Sequence, residues 1–379
     1  MHEPRAIISP SRYVQGAGAI HQLGRYLSPI GSTPLVVADD LVWGLVGHDV
    51  EHALESAGLS FTRETFNGIT TEGEINRIVD AIKRTGADVA VAIGGGSAID
   101  TVKAAGHLAG IRWANCPTVA STDAPCSALS VLYTEAGEFH EYRFLPRNPD
   151  LVLVDSQIVA NAPVSLLIAG VGDALATWIE ARATSRSNSQ TMAGGPPTLA
   201  ATALAELSWN ILWENTLPAI DAVRDNQVTP AVEKVIEANT LLSGIGFESG
   251  GVAAAHAIHN GLTGVPETHG LAHGEKVNIG SIAQLMLEGA PTSDIRDFIE
   301  FTTRIGLPTT LTEIGLRSDD RDSLKRVSDA ATVPSETIHS MPFDVNSGDV
   351  LSALISLERF AVRVRTDAKL PEPKFYVAH

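Results

Sequence analysis

Short apolar runs alternate with segments of helical periodicity over the first 160 residues. Runs typical of buried strands occur at 34–40 (PLVVADD), 88–97 (DVAVAIGGGS), 116–122 and 151–160. Among the helical segments, 72–86 has apolar residues at 75, 78, 79 and 82, and 45–58 ends at a glycine that suits a helix C-cap. Strands that alternate with helices predict a Rossmann-like, parallel, doubly wound α/β sheet.

The pattern changes after Ala162 and Pro163. Three long stretches of helical character follow, beginning at 164, 197 and 229, and the chain stays mainly helical to about residue 365. We therefore predict an α/β fold with two domains, a parallel-sheet domain over 1–162 and an all-helical domain over 163–379.

A glycine-rich loop follows the buried run at 88–97. Gly94, Gly95 and Gly96 leave space for backbone to approach a pyrophosphate, and the next residues open a helix whose free N–H groups attract anions. Ser97 and Asp100 have the spacing of a capping box at that helix start. The spacing is not G-x-G-x-x-G, so a plain tight turn is the alternative.

Two acidic positions in this half could serve a ligand. Asp39 and Asp40 follow an apolar strand, where a carboxylate holds ribose hydroxyls and repels a 2′-phosphate, which favours NAD over NADP. Asp123 lies in the Ser- and Thr-rich stretch 117–133, where it could grip a substrate hydroxyl. A solvated turn and an ordinary capped loop are the respective alternatives.

The helical half carries the candidate metal ligands. His256, His259, His269 and His273 fall within one Gly-rich window, and neutral imidazole is the commonest metal ligand. Asp173 closely follows Gly170 and Gly172 in an apolar helical stretch, and an acid there needs a partner such as a helix dipole, an arginine or a metal. Structural histidines and a helix-capping aspartate are the alternatives.

Bulk composition narrows the functional classes. The net charge is −17 and the pI about 5.1, which disfavours nucleic acid as a partner. The two cysteines cannot form a disulfide framework, and we see neither a secretory signal nor an apolar run of membrane-spanning length. The composition predicts a soluble, cytoplasmic protein without a membrane partner.

Six motifs in register resemble the glycerol dehydrogenases, within the wider family of metal-dependent polyol and iron-containing alcohol dehydrogenases. They are GGGSAIDTVKA, PTVASTDAPCSALSVLYTEAGEF, PRNPDLVLVD, GVGDALATWIEARA, MAGGPPTLAATALA and AAAHAIHNGLTG…THGLAHGEKV. The resemblance implies a dehydroquinate synthase-like architecture, with an NAD-binding α/β domain, a helical domain and catalysis in the cleft between them.

The resemblance also assigns roles to residues. It implies a catalytic Zn2+ held by Asp173, His256 and His273, with Asp123 as the substrate-binding acid. His259 and His269 become supporting or proton-relay candidates. The positions that match the family's NAD contacts are Asp39, Gly96, Ser97, Thr118, Ser121, Ser127, Leu129 and Tyr133, beside Gly94, Gly95 and Asp100 of the glycine loop.

The sequence departs from the family at two positions. Many glycerol dehydrogenases have a lysine where this chain has Ser97, so a charge on the pyrophosphate is lost. Iron-dependent members have a further histidine four residues after the ligand aspartate, where this chain has Thr177. Three protein ligands and an open position are usual for catalytic zinc, so zinc is preferred over iron.

The implied activity is NAD-dependent oxidation of glycerol, or a similar small vicinal diol, to the hydroxyketone, dihydroxyacetone for glycerol. Zn2+ would act as Lewis acid, and the family suggests a homo-oligomer, an octamer among the options. Glycerol-1-phosphate dehydrogenase and a sugar-phosphate cyclase of the dehydroquinate synthase type are alternatives. Both are disfavoured because the motifs of the expected cleft offer few basic residues for a phosphate, namely Lys276, Arg143 and Arg147. A non-catalytic NAD-binding protein is a further alternative.

Overall fold

The computed structural model describes residues 3–377 except 136 and 138. Its contacts divide the chain into two compact units. The sheet unit comprises Ile8–Leu167 and Pro218–Gly244, and the helical unit comprises Ile168–Leu217, the chain from Ile245 onward and the described residues before Ile8. The predicted boundary at 162 falls in the link between two consecutive helices, Ser156–Asn161 and Val164–Ser187.

The eight strands of the described chain all lie in the sheet unit. They are β1 (Tyr13–Gly16), β2 (Pro34–Ala38), β3 (Thr62–Thr65), β4 (Val89–Gly94), β5 (Arg112–Pro117), β6 (Leu129–Tyr133), β7 (Phe139–Phe144) and β8 (Leu151–Asp155). Six of them form a parallel sheet in the order β1-β8-β5-β4-β2-β3, while β6 and β7 form an antiparallel hairpin.

The described helices, in chain order, are α1 (Leu23–Leu27), α2 (Asp40–Ser56), α3 (Glu72–Thr85), α4 (Gly96–Ala109), α5 (Ser156–Asn161), α6 (Val164–Ser187), α7 (Leu199–Arg224), α8 (Pro230–Glu237), α9 (Ser243–Gly250), α10 (Ala254–Thr263), α11 (His273–Leu287), α12 (Thr292–Ile305), α13 (Arg321–Ala330) and α14 (Ser347–Asp367). A π-helical segment, Ala238–Leu242, joins α8 to α9. The parallel sheet and the helical remainder confirm the predicted fold class.

Both faces of the sheet are covered. Successive residues of β2 enter different cores: Leu35 and Val37 pack with α3 and α4, whereas Val36 packs with α1 and α2. Because side chains alternate across a strand, a strand buried on both faces reads as a continuous apolar run. This explains why β2 and β4 were recognisable from sequence.

Two predicted elements differ in their bounds because of side-chain caps, and the strand predicted at 116–122 overlaps the observed β5 only at Cys116 and Pro117. Helix α2 begins at Asp40 rather than near 45, because the Asp39 carboxylate accepts the Val42 N–H at 2.8 Å and caps it. The apolar run 151–160 is strand only to Asp155, whose carboxylate accepts the N–H groups of Gln157 and Ile158 and starts α5. In both cases a side-chain cap, rather than hydrophobicity, fixes the boundary.

Helix α6 is the central helix of the candidate site. It is the one described helix that is long and apolar enough to cross a membrane, but 72% of its most apolar window is buried inside the protein. Asp173 therefore lies in the middle of a core helix, and the alternative of a helix-capping aspartate is wrong.

Candidate functional site

Three of the predicted residues converge in the helical unit. The Asp173 Oδ1 lies 3.1 Å from His273 Nε2 and 3.5 Å from His256 Nε2. One ligand atom from each residue falls within 4.8 Å of the other two. Asp173 is buried, and both imidazoles remain partly exposed. Helix α6 supplies the acid, α10 supplies His256, and α11 begins at His273.

Glycines allow these three helices to approach one another. A Cβ on Gly274 would lie 1.8 Å from the Ala169 carbonyl oxygen of α6, and one on Gly172 would lie 2.5 Å from the Gly274 carbonyl oxygen. A Cβ on Gly280 would lie 2.2 Å from the Ala255 carbonyl oxygen of α10. Gly172, which precedes Asp173, and Gly274, which follows His273, thus bring the ligands of two helices together.

Glu180 is a site residue that sequence reasoning missed. Its Oε2 lies 2.5 Å from His256 Nδ1, and its Oε1 accepts the N–H groups of Ala253 and His256 at 2.8 and 2.9 Å. A carboxylate on Nδ1 holds the proton there and presents Nε2 to a metal. The available signal was spacing: Asp173 and Glu180 are seven residues apart, on one face of a helix.

The electrostatics of the cluster follow from these pairs. Burial alone would raise the pKa of Asp173, but His273 and His256 outweigh it and hold that pKa far below the usual range. Burial likewise would lower the pKa of His256, but Glu180 and Asp173 raise it well above its ordinary value. The site therefore favours positive charge beside an ionised carboxylate, which is the condition that suits a cation.

The other two histidines of the window take different positions. The buried His259 ring packs edge-on against His273, with ring centroids 4.2 Å apart, and its Nδ1 lies 3.1 Å from Asn260 Oδ1. Burial, with His273 and Lys276 nearby, lowers the pKa of His259 well below its ordinary value. His269 is exposed and its Nε2 lies 3.0 Å from the Thr263 carbonyl oxygen. Neither belongs to the three-residue cluster.

The donor set fits a divalent metal ion. Two ligands bonded to tetrahedral Zn2+ at about 2.0–2.1 Å lie roughly 3.4 Å apart, close to the separations between the Asp173 oxygen and the two imidazole nitrogens. Within the described chain this cluster has three members, and the buried Thr177 stands one helical turn after Asp173. The arrangement leaves coordination positions open.

The glycine loop lies where the sheet reverses its winding. From β2 the chain passes to β3 on one side, and from β4 it passes to β5 on the other, so the switch point lies between β2 and β4. Asp39 follows β2, and Gly94–Gly96 follows β4. Open α/β sheets bind their ligands at such switch points, outside the carboxyl ends of the strands.

The loop conformation depends on glycine. Gly94 has φ +156°, and a Cβ on it would lie 3.0 Å from the Ala98 Cβ. Gly95 caps α4 without a side chain, so the predicted capping role of Ser97 is wrong: the helix has already begun at Gly96. A Cβ on Gly95 or Gly96 would point toward Val119 or Thr122, each 3.6 Å away. These are ordinary contact distances, so the steric requirement for glycine in this loop is confined to Gly94.

The remaining predicted cofactor residues follow β5. Thr118 donates its N–H to the Gly94 carbonyl at 3.1 Å, and Ser121 lies half-buried in the same loop. Ser127 and Leu129 are buried, the second at the start of β6. Tyr133 ends β6, and burial, with a smaller contribution from Asp100, raises its pKa to about 12. Its phenol therefore keeps its proton at neutral pH.

Asp123 is held by a residue that the sequence did not single out. The Ser243 hydroxyl donates to Asp123 Oδ2 at 2.7 Å. Ser243 directly follows the π-helical segment, within which Asn239 donates to the Ala120 and Leu167 carbonyls at 3.0 and 3.2 Å. A Cβ on Gly244 would lie 2.8 Å from the Cys126 Cβ. π-helical turns are frequent at functional sites, and this one positions the Asp123 loop.

Comparisons with known proteins give the family. The model of the iron-containing alcohol dehydrogenases matches residues 10–156. The glycerol dehydrogenase of Escherichia coli O6:H1 is 48% identical, over 95% of this chain and 98% of that protein. The glycolaldehyde reductase of Halobacterium salinarum is also 48% identical, over 94% of this chain and 98% of that protein.

Solved structures agree with the sequence comparison. The glycerol dehydrogenase of Schizosaccharomyces pombe superposes with a TM-score of 0.95 at 35% identity, covering 100% of this chain and 96% of that one. Similarity of this degree over nearly the full length extends the family match beyond the sheet unit. The chain therefore belongs to the iron-containing alcohol dehydrogenase family, among the glycerol dehydrogenases and their relatives.

Proposed function

We propose that this protein oxidises glycerol, or a similar small vicinal diol, at the secondary hydroxyl to the hydroxyketone, with NAD as hydride acceptor and Zn2+ as Lewis acid. The observation that carries the proposal is the cluster of Asp173, His256 and His273. It combines one buried carboxylate with two imidazoles in a chain nearly half identical to glycerol dehydrogenases.

A zinc ion bound there would supply a positive charge that polarises a substrate hydroxyl. The protein's own contribution is orientation. Glu180 keeps the Nδ1 of His256 protonated, and the Gly172–Gly274 approach holds His273 against Asp173. His259, buried beside His273, is proposed as a proton-relay residue rather than a ligand. Thr177 in place of a further histidine favours zinc over iron.

For NAD, the proposed site is the switch-point edge of the sheet. The pyrophosphate would take the N–H groups at the start of α4, beside Gly94–Gly96, and the Asp39 carboxylate would take the ribose hydroxyls. Ser97 offers a hydroxyl where many relatives have lysine, so binding relies on the backbone and the helix dipole. The bound nicotinamide would accept the hydride.

Asp123 is the proposed substrate-binding acid. Its carboxylate is half-buried and fixed by Ser243, so a substrate hydroxyl could donate to it in a set orientation. A charge-assisted hydrogen bond of this kind contributes about 1.5–3 kcal/mol. The acid also disfavours an anionic substrate at the same position.

Two basic residues that could have served a phosphate are committed elsewhere. Arg143 pairs with Glu72 and Glu141, and the Arg147 guanidinium stacks over Trp113 while pairing with Asp150. These contacts argue against glycerol-1-phosphate dehydrogenase and against a sugar-phosphate cyclase. An unphosphorylated polyol is the better substrate.

A second candidate function is reduction of glycolaldehyde. It is favoured by the H. salinarum relative, which is as similar to this chain as the E. coli glycerol dehydrogenase. Both reactions would use the same metal and cofactor sites, and differ by one hydroxymethyl group on the substrate. A hydrophobic pocket discriminates between substrates of such similar size by only about 1–3 kcal/mol, whereas a pocket that hydrogen-bonds the additional hydroxyl would discriminate far more strongly.

The test is a paired substrate screen followed through NADH absorbance. We expect NAD reduction with glycerol and propane-1,2-diol at alkaline pH, NADH oxidation with dihydroxyacetone, and none with glycerol 1-phosphate. Asp173→Asn should abolish both directions, whereas Asp322→Asn, an exposed acid of the same unit, should leave them unchanged. A preference for glycolaldehyde over dihydroxyacetone would favour the second candidate. An inactive wild-type protein that contains zinc would overturn both.

A further inference from the structure

One fully buried ammonium group lies outside the roles proposed so far. Lys103 of α4 has 0% exposure, and its Nζ forms an ion pair with Asp100 Oδ1 at 2.8 Å. The same nitrogen donates to the Ala124 carbonyl at 2.8 Å, to Ser127 Oγ at 3.1 Å and to the Leu129 carbonyl. Four acceptors therefore surround one cation, three of them within residues 124–129.

Asp100 extends the same set of contacts. Its Oδ2 accepts the Val131 N–H at 3.1 Å, and its main-chain carbonyl accepts the Ser130 hydroxyl at 2.9 Å. Asp100 and Lys103 lie one turn apart on α4, the helix that starts at the glycine loop. The contacts of Asp100 and Lys103, from one turn of α4, therefore hold the segment from Ala124 to Val131 in place.

We propose that Lys103 and Asp100 are positioning residues for cofactor and substrate: they hold the segment 123–131 at a fixed distance from the glycine loop. The inference rests on the proposed function, because the segment carries Asp123, Ser127 and Leu129. In this proposal Asp100 positions the segment through its buried contacts and does not itself contact NAD.

The chemistry of the pair argues for a positional role. A buried ion pair contributes little net stability relative to apolar residues of similar volume, yet removing one partner leaves an uncompensated charge. Lysine is a compact cation that can place three donors. Here those donors reach carbonyls on both sides of Ser127, which apolar side chains could not orient.

The experiment compares Lys103→Met, the double variant Asp100→Asn with Lys103→Met, and the control Lys83→Met, an exposed lysine of the same unit. Calorimetry would give the Kd for NAD, steady-state rates would give kcat and KM for glycerol, and hydrogen exchange would follow amides 124–131. Zinc content is measured for each variant. The double variant removes both charges, so it covers the case in which the single variant does not fold.

In a folded single variant and in the double variant, we expect the Kd for NAD and the KM for glycerol to rise at least tenfold, with faster exchange over 124–131 and unchanged zinc content. Lys83→Met should match the wild type. A merely structural role predicts that the double variant regains both stability and wild-type NAD affinity, and that result would overturn the proposal. A wild-type protein that binds no NAD would instead refute the proposed function.

Discussion

His256 shows how a single residue obtains its chemistry from its neighbours. A lone histidine titrates near neutrality, but this imidazole has Glu180 on Nδ1 and Asp173 facing Nε2. The carboxylate of Glu180 fixes the tautomer of the imidazole. The carboxylate of Asp173 lies beside Nε2, the nitrogen that would bind a metal ion. The pKa of His256 is raised because, without a metal, both carboxylates favour the imidazolium form.

Glu180→Gln tests the orientation of His256. Glutamine keeps the size of the side chain but accepts the Nδ1–H more weakly, so we expect the affinity for Zn2+ to fall about 10–100-fold. Competition with a fluorescent chelator measures that affinity without relying on activity. Glu214→Gln, an exposed acid on α7, is the matched control and should bind zinc as the wild type does. Equal affinities in all three proteins would refute the role of Glu180.

A second prediction concerns the pH dependence of stability at Glu74. Burial alone would raise the pKa of its carboxyl, but the Arg77 guanidinium and the Asn67 N–H lower it below its ordinary value. A carboxyl whose pKa is lowered in the folded state stabilises the protein above its unfolded pKa, and that contribution disappears as pH falls through the folded pKa.

Glu74→Gln should therefore lower the free energy of unfolding by about 1–2 kcal/mol at pH 7. The difference from the wild type should shrink as the pH falls below the ordinary pKa of a glutamic acid and through the lowered pKa of Glu74. Urea unfolding at several pH values measures it, with Asp80→Asn, an exposed acid of the same helix, as control. A difference that stayed constant with pH would show that ionisation of Glu74 plays no part.

At the scale of elements, the candidate metal centre depends on how closely three helices pack. The ligands come from α6, α10 and α11, and small residues allow these helices to approach. Helix α10 begins at residues whose N–H groups are satisfied by other helices: Glu180 accepts from Ala253, and Gln284 accepts from Ala254 and Ala255. The same contacts therefore start α10 and orient its histidine.

Gly274→Ala tests this packing. The new methyl group would lie 1.8 Å from the Ala169 carbonyl oxygen and 2.9 Å from the Asp173 nitrogen, so α11 must move away from α6. We expect a loss of about 3 kcal/mol in unfolding free energy and at least a tenfold loss of zinc affinity. Gly264→Ala, whose added Cβ would meet nothing closer than 3.5 Å, is the control. Wild-type zinc affinity in Gly274→Ala would contradict the packing argument.

Sequence patterns predicted the elements well where burial was uniform. The strands β2 and β4 stood out as apolar runs. The histidine window offered four candidates, and the resemblance to glycerol dehydrogenases selected His256 and His273, which converge with Asp173. The hairpin β6–β7 was missed because its first strand lies in a stretch rich in serine and threonine, which suggested a loop. Side-chain caps at Asp39 and Asp155 shifted boundaries that hydrophobicity alone could not locate.

The supporting residues were harder to predict. Glu180 and Ser243 resemble ordinary helix residues, and Asp100 with Lys103 resembles a solvated pair at one-turn spacing. Their roles depend on which long-range segment packs against them, and local spacing carries no information about that. The cofactor contacts assigned by resemblance and the assembly state stay predictions.

At the scale of the whole molecule, the proposed chemistry divides between two units. The sheet unit carries the glycine loop, Asp39 and Asp123, whereas the helical unit carries the three candidate ligands. A net charge of −17 adds no preference for a phosphorylated substrate. Removing the metal should thus abolish oxidation while NAD binding in the sheet unit persists.

The most direct measurement titrates Zn2+ into chelator-stripped protein, with bound zinc, NADH formation from glycerol and circular dichroism recorded together. We predict that stripped protein stays folded and inactive, and that activity returns in proportion to zinc bound, up to one ion per chain. Asp173→Ala and His273→Ala should fold, bind no zinc at that site and remain inactive. Full activity in the stripped protein, or in either folded variant, would contradict the assignment of Asp173, His256 and His273 as the catalytic metal centre.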